Sequence, residues 1–272
     1  AVQLTLKPLQ MLVRTALGLT TPLGRFEPGH FRDFVWRAMF SKTLPHADFD
    51  AVTAAGFRVS RLPWSALHAA GLLTARLGHA VYPRLDTRGY DVMVAETPYP
   101  GRVTAGTTLV VRYHDAIPLL MPHTISDRSY HQASHYRALR RNVADGAWFA
   151  CVSDATRNDL LSVFPEVAPR AVTIHNMVSH HYFAEESSPR LVPEIVNIRR
   201  SQSVKGGGGR MLPAGQAMPP YLLMVSTIEP RKNHLALLSA WEQLRTELQP
   251  DLQLVLVGAL GWEHKAIVRR FR

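Results

Sequence analysis

From Tyr90 onward the chain alternates short apolar runs, each closed by polar residues, with stretches of helical spacing. Asp91–Ala95 leads into Glu96-Thr97-Pro98, Thr108–Tyr113 into His114-Asp115, Trp148–Val152 into Ser153-Asp154, and Ala171–Ile174 into His175-Asn176. Helical spacing fills the intervals Ser126–Val143 and Ala155–Val163. Such alternation predicts parallel strands joined by helical crossovers, an α/β fold. Parallel strands end on one edge, and open α/β sheets carry their ligands there. The polar residues after each run are therefore the first place to look for function.

The pattern restarts near the C-terminal end. A strand is predicted at 221–225, a helix at 234–248 and a strand at 252–257, ending at Gly258. Residues 184–219 separate the two halves and have linker composition, with Ser187-Ser188-Pro189, Gly206–Gly209, Pro213 and Pro219-Pro220. The expected organisation is a first domain at 1–183, a linker at 184–219 and a second domain at 220–272. Residues 1–85 show helix-like spacing at Leu9–Leu19, Phe31–Phe40 and Trp64–Leu77, a turn region at Thr21–Pro28, and no chemical motif. The chain opens on Ala1 and ends within a helix-like run at Arg272, which reads as a piece of a longer protein.

One loop stands out chemically. In Tyr221–Asn233 an apolar strand runs into Ser226-Thr227-Ile228-Glu229-Pro230-Arg231-Lys232, and Asn233 is placed to cap the next helix. Pro230 biases Glu229 away from helical geometry, so the helix starts beyond it. Arg231 and Lys232 then lie where a helix N-terminus already favours anions, with the hydroxyls of Ser226 and Thr227 nearby. A phosphate or diphosphate is the simplest ligand for that loop. An ordinary solvated helix start is the plainer alternative.

Other motifs are more ambiguous. His114-Asp115 could be a base and its orienter, although neighbours on an extended strand point to opposite faces. Ser153 reads first as a helix cap and second as a ligand contact. Asn176 is either a turn residue or a ligand contact. His131 and His135 share a helix face, but with Gln132 between them and Arg137, Arg140 and Arg141 on the same helix, a solvated basic surface is the better reading. His180-His181 reads as loop surface. Gly206–Gly209 follows no strand and reads as a hinge. Cys151 is the single cysteine, which excludes a disulfide framework and, in an apolar strand, reads as a buried thiol.

With loop and strand ends in place, the chain resembles the retaining glycosyltransferases of family 4, which have the GT-B fold of two Rossmann-like domains. The resemblance is carried by VVRYHDAIPLLMP (110–122), WFACVSDATRNDLL (148–161), AVTIHNMVSHHYF (171–183), YLLMVSTIEPRKNHLALLSAWEQLR (221–245) and LQLVLVGALGW (252–262). It implies a hexosyl transfer from a nucleotide diphosphate sugar, such as GDP-mannose, to a glycan or lipid-linked acceptor in polysaccharide biosynthesis, with retention of configuration. It also implies donor contacts from Ser226, Thr227, Glu229, Arg231 and Lys232, and lesser ones from Ser153 and Asn176. His114 inherits the place of the family's histidine near donor sugar and acceptor, so His114, Arg231 and Lys232 form the catalytic expectation. No metal and no cofactor is expected. The family's first strand with its glycine loop, and its later pair of glutamates with seven residues between them, have no counterpart here. The chain alone is therefore not expected to catalyse transfer. Glu186 and Glu194 have the glutamate spacing but precede the phosphate loop, a coincidence.

Charge leaves a rival open. The net charge is +10 with only 19% charged residues, so the excess comes from scarce acids rather than basic blocks. That favours an anionic ligand, a polyanion or an anionic membrane surface. A non-catalytic polyanion- or nucleic-acid-binding α/β module is the alternative, weakened by the dispersal of the basic residues, and no nucleic-acid partner is expected. A nicotinamide oxidoreductase is disfavoured by the missing glycine fingerprint. The expected location is cytoplasmic, peripheral to the inner membrane face.

Overall fold

The computed structural model describes residues 10–60, 62–76, 78–125, 127–178, 182–202, 212 and 218–271. The chain divides into two compact units, Ala1–Tyr182 and Phe183–Arg272. The readings of His180-His181 and of Gly206–Gly209 fall outside the described residues.

Unit 1 begins with a helical stretch at 10–16 and a small antiparallel pair, β1 (Gly24–Phe26) and β2 (Phe57–Val59). Phe26 holds the pair together by stacking on Phe31 and meeting Phe57 edge-on, with ring centroids 6.1 Å apart in each case. The spacing at Phe31–Phe40 does form helix, but it passes from an α turn at Arg32–Val35 into a π turn at Trp36–Phe40. Helix α1 (Trp64–Ala75) follows, and Gly71 within it is required. A Cβ there would lie 2.3 Å from the ring of the buried Tyr82.

The body of unit 1 is a four-stranded sheet of β3 (Val92–Ala95), β4 (Thr108–Tyr113), β5 (Trp148–Cys151) and β6 (Ala171–Thr173). All neighbours are parallel and their spatial order follows the sequence. Between the strands lie α2 (Ile117–Leu120), α3 (Arg128–Ala144) and α4 (Asp154–Val163). This is the parallel α/β arrangement that the alternating pattern predicts, Rossmann-like in class. One face carries the core: Leu109, Val111, Tyr113, Phe149, Cys151 and Ala171 pack with Leu139, Val143 and Leu160 of the helices. In-register neighbours such as Val111, Phe149 and Ala171 point the same way, which is why single strands show alternating burial. The opposite face exposes Val92, Val94, Trp148 and Val172. Parallel sheets usually bury both faces, and here the second face has no covering layer among the described residues.

Unit 2 contains α5 (Leu191–Gln202), β7 (Tyr221–Val225), α6 (His234–Glu247), β8 (Gln253–Val257) and α7 (Lys265–Arg270). Strands β7 and β8 pair in parallel from Tyr221↔Gln253 to Val225↔Val257. Trp241 of α6 donates its indole N–H to the Leu252 carbonyl at 3.0 Å, pinning helix to strand. Helix α5 lies inside the segment 184–219 that the composition marks as linker. The Ser, Pro and Gly clusters flanking it concealed the helical spacing of Leu191, Ile195 and Ile198, and Asn197 brackets the backbone of Leu212 with two 2.9 Å hydrogen bonds.

Candidate functional site

The cationic loop of unit 2 is held by its own strand ends. After β7 the backbone continues to pair with the segment beyond β8: Ser226 N donates to Val257 O at 2.9 Å, Ile228 N to Ala259 O at 2.8 Å, and Gly261 N to Ile228 O at 3.0 Å. This close approach requires the two glycines. A Cβ on Gly258 would lie 1.8 Å from the Ser226 carbonyl oxygen, and one on Gly261 would lie 2.6 Å from Thr227 Cγ2. Pro230–Lys232 form a 3-10 turn and α6 begins at His234.

Within that loop the structure separates roles that the sequence grouped together. Glu229 is turned inward, its side chain only 9% exposed, and its Oε1 lies 2.6 Å from Arg231 Nε. Its carboxylate therefore holds Arg231 in place and is not presented at the open edge. Arg231 remains 38% exposed, and Lys232 is half-buried beside it. Ser226 Oγ lies 3.3 Å from Nε2 of the buried His234, so its hydroxyl is oriented by that ring. Thr227 is exposed. Asn233 occupies the cap position but makes no side-chain cap bond. It stands in the left-handed region at φ 55°, which asparagine tolerates better than most residues. The cap expectation for Asn233 is thus corrected: its backbone conformation, not its amide, turns the chain into the helix.

In unit 1 the polar strand ends also come together. His114, after β4, places Nε2 3.7 Å from Glu96 Oε2, after β3. Arg112, the charged residue within β4, lies 3.9 Å from the same carboxylate through Nε and donates from Nη2 to Asn176 Oδ1 beyond β6. Glu96, Arg112, His114 and Asn176 thus form one polar cluster at the C-terminal edge of the sheet. Sequence reasoning gave candidate roles to His114 and Asn176, placed Glu96 at a strand end without a role, and missed Arg112. The available signal was an arginine inside a run of Leu and Val, in register with its neighbours. The loop carrying Glu96 is anchored by the fully buried Asn142, which accepts from Tyr99 N at 2.8 Å and donates to Tyr99 O at 2.9 Å.

Asp115 does not orient His114. Its Oδ1 accepts from Ile117 N at 3.0 Å, closing the turn into α2. Ser153 is the cap of α4, accepting from Thr156 N at 3.1 Å while its hydroxyl donates to Thr156 Oγ1 at 3.0 Å. That cap occupies the serine, whose ligand role was the secondary reading. Cys151 is wholly buried, and burial pushes its thiol up to about 11, as an inert core thiol should be.

The paired histidines need a correction. His135 is not on a solvated basic face: its ring lies 5.7 Å from that of Tyr113, with Nε2 3.3 Å from the phenol oxygen. Burial lowers its pKa to about 4, partly opposed by Asp115 and reinforced by His68. His68 of α1 is likewise lowered to about 4 by burial and then by His131. His135 of α3 and His68 of α1 are thus a neutral imidazole seam between the two helices. Among the described residues no group of three or more His, Cys, Asp or Glu is arranged to hold a metal ion. Among them, too, no helix is long and apolar enough to cross a membrane.

The chain is 27% identical over 158 residues to O-antigen chain mannosyltransferase B of Escherichia coli, a match covering 57% of this chain and 35% of that protein. The chain thus spans about a third of that relative's length. This likeness does not by itself single out family 4 or the GT-B arrangement. No family model matches the chain, and no solved structure matches it.

Proposed function

We propose that the chain is part of a retaining GT-B glycosyltransferase that moves a hexose, such as mannose, from a nucleotide diphosphate sugar to a glycan or lipid-linked acceptor. The observation carrying this reading is the loop after β7, where a buried carboxylate sets an exposed guanidinium beside Lys232 at the end of a parallel strand. In transfer the bond from the sugar's anomeric carbon to the diphosphate breaks and its electron pair stays on the phosphate. Cations fixed before the reaction stabilise that charge better than water, which must reorient. Arg231 and Lys232 supply those charges, and Ser226 and Thr227 supply hydroxyls. In unit 1, His114 and its companion Glu96 offer a donor and an acceptor for sugar hydroxyls or for the attacking hydroxyl's proton. Retention, the nucleotide sugar and the absence of a metal requirement are adopted from the resemblance. The likeness to a mannosyltransferase favours mannose over other hexoses.

The test is calorimetric titration of the chain with GDP, UDP and GDP-mannose. Saturable binding of one nucleotide is expected, weakened about tenfold or more by Lys232→Ala, since a hydrogen bond to a charged group contributes ~1.5–3 kcal/mol. Lys232→Ala is the cleaner variant because Arg231 also serves Glu229. Nucleotide affinity that is the same with and without Lys232 would overturn the phosphate-binding role of the loop.

A further inference from the structure

At the strand starts of unit 1, the edge opposite the His114 cluster, lies a charge pattern with no part in the proposed transfer. Arg84 and Arg102 stand opposite each other in a parallel bridge, with Leu85 N donating to Arg102 O at 2.8 Å and Arg102 N to Pro83 O at 2.7 Å. Side chains directly opposite in such a pair lie side by side, and like charges there repel. Asp145, just beyond α3, answers only one of them: it accepts from Arg102 Nε at 2.8 Å and from Nη2 at 3.1 Å. Its other lone pairs go to Arg141, which donates from Nε at 3.0 Å and also from Nη2. Burial opposes the charge on Asp145, yet the bonds from Arg141 and Arg102 outweigh it and hold the carboxyl below its ordinary value. With four bonds accepted, that carboxylate has no capacity left. Arg84 makes no hydrogen bond or ion pair among the described residues, and its Nε is shut off from water.

Both arginines line a cavity of about 390 Å³, and Asp145 is the only acidic residue among its described lining. The cavity is framed by fixed contacts. Thr87 Oγ1 bonds to the hydroxyls of Thr104 and Thr107 at 2.8 and 2.9 Å, anchoring the turn before β4, and Arg170 donates to Ala147 O at 2.9 Å ahead of β5. Trp148, 44% exposed, and the exposed Thr108 complete the lining. A buried guanidinium N–H without an acceptor is costly, and an anion in the cavity supplies what Arg84 lacks. The planar fork of arginine meets phosphate or carboxylate oxygens in pairs. The space exceeds what a bare phosphate fills, and Trp148 offers the remainder an apolar face. We propose that this cavity is a second ligand site, for a sugar carrying a phosphate or a carboxylate. Arg84 and Arg102 hold the anionic group, Thr108 bonds a ring hydroxyl, and Trp148 packs on the C–H face of the ring. A nucleotide fits less well, because its flat base needs more apolar surface and Trp148 is the only aromatic residue of the described lining. The six residues of β4 put the cavity about 20 Å from His114, so its ligand is not the one that reacts there. The site stands on unit 1 alone and is independent of the phosphate-binding loop in unit 2.

The experiment is calorimetric titration of the Lys232→Ala chain, which silences the loop of unit 2, with mannose 6-phosphate and with glucuronate. Saturable binding of at least one is expected, with a dissociation constant of ~1 mM or tighter, and the stronger of the two tells phosphate from carboxylate. Mannose and inorganic phosphate should each bind about tenfold more weakly or worse, since each lacks half of the contacts. Arg84→Gln should weaken the sugar anion about tenfold or more. It should not lower the urea midpoint, because it removes a cation that has no partner. Trp148→Ala should weaken binding severalfold at unchanged net charge. Arg25→Gln removes the same charge elsewhere in unit 1 and should leave binding within about twofold, as screening of an exposed, distant charge requires. No saturation by either sugar anion up to about 10 mM, ten times the expected constant, would overturn the site. Undiminished binding in Arg84→Gln, or an equal loss in Arg25→Gln, would overturn it too. Inorganic phosphate binding as tightly as the sugars would overturn the sugar as occupant. Tighter binding of AMP, lost in Arg84→Gln, would replace the sugar by a nucleotide.

Discussion

Each unit places a carboxylate against a cation at the end of a parallel strand, yet the two pairs differ in kind. In unit 1, Glu96 is 76% exposed and stands 3.7 Å from His114 and 3.9 Å from Arg112. In unit 2, Glu229 is almost wholly buried and meets Arg231 at 2.6 Å. Water screens the first pair, so its members are at liberty to exchange partners for a ligand. The second pair sits in a poorer dielectric, where a carboxylate that loses its partner is costly. The same residue types thus give a solvent-screened polar cluster in one unit and a cationic clamp on a buried carboxylate in the other. What decides between them is the packing of the next loop: Gly258 and Gly261 bring the segment beyond β8 over Glu229, whereas the described residues place nothing comparable over Glu96.

The strongest way to break this contrast is Arg231→Ala. It strands the buried carboxylate of Glu229, so unit 2 should lose about 2 kcal/mol, less than the ~3–5 kcal/mol of a wholly buried pair because Arg231 is partly in water. Nucleotide binding should fall with it. Adding Glu229→Gln should restore most of the stability and none of the binding, as read by urea denaturation and calorimetry. Failure of that rescue would show that Arg231 stabilises the loop by something other than its carboxylate.

A smaller effect separates the units by pH. His135 and His68 are neutral in folded unit 1, with values near 4 against an ordinary 6.5. Between those values the unfolded chain binds protons that the folded one refuses. Their contribution is therefore whole above pH 6.5 and is lost as pH falls towards 4. At ~1.4 kcal/mol per pKa unit, discounted because neither ring is wholly dry, the loss should be about 2 kcal/mol. Urea midpoints of unit 1 across this range should show it, and His135→Gln should flatten the profile. A profile unchanged by that substitution would remove His135 from the seam.

The smallest expected effect is Glu96→Gln. An exposed pair at these distances contributes ~0–1 kcal/mol, so unit 1 should unfold within about 0.5 kcal/mol of the parent chain. A loss as large as that of Arg231→Ala would erase the distinction between the screened and the buried cluster.

The strand-and-helix alternation was legible because apolar spacing is local: β4, β5, β7 and α6 lie within a residue or two of where their patterns put them. The β1–β2 pair was not, since three-residue strands 33 positions apart carry no local period. At the candidate sites, residue types at strand ends named His114, Asn176, Arg231 and Lys232. They could not show that Glu96 and Arg112 complete one cluster, because that depends on three strands lying in register. Nor could they show that Glu229 turns inward, since Glu-Pro-Arg-Lys reads the same whether or not a neighbouring segment covers it. The outward and inward sides of α3 divided for a similar reason. His135 and Arg137 are two residues apart, and only the packing of α1 and β4 against the helix decides which of them meets water. Sequence periodicity alone determined the parallel α/β class and the edge on which function should be sought, because both follow from backbone geometry repeated over short spans. The tertiary structure decided which charges are buried, paired or presented, because dielectric and partner are set by residues distant along the chain.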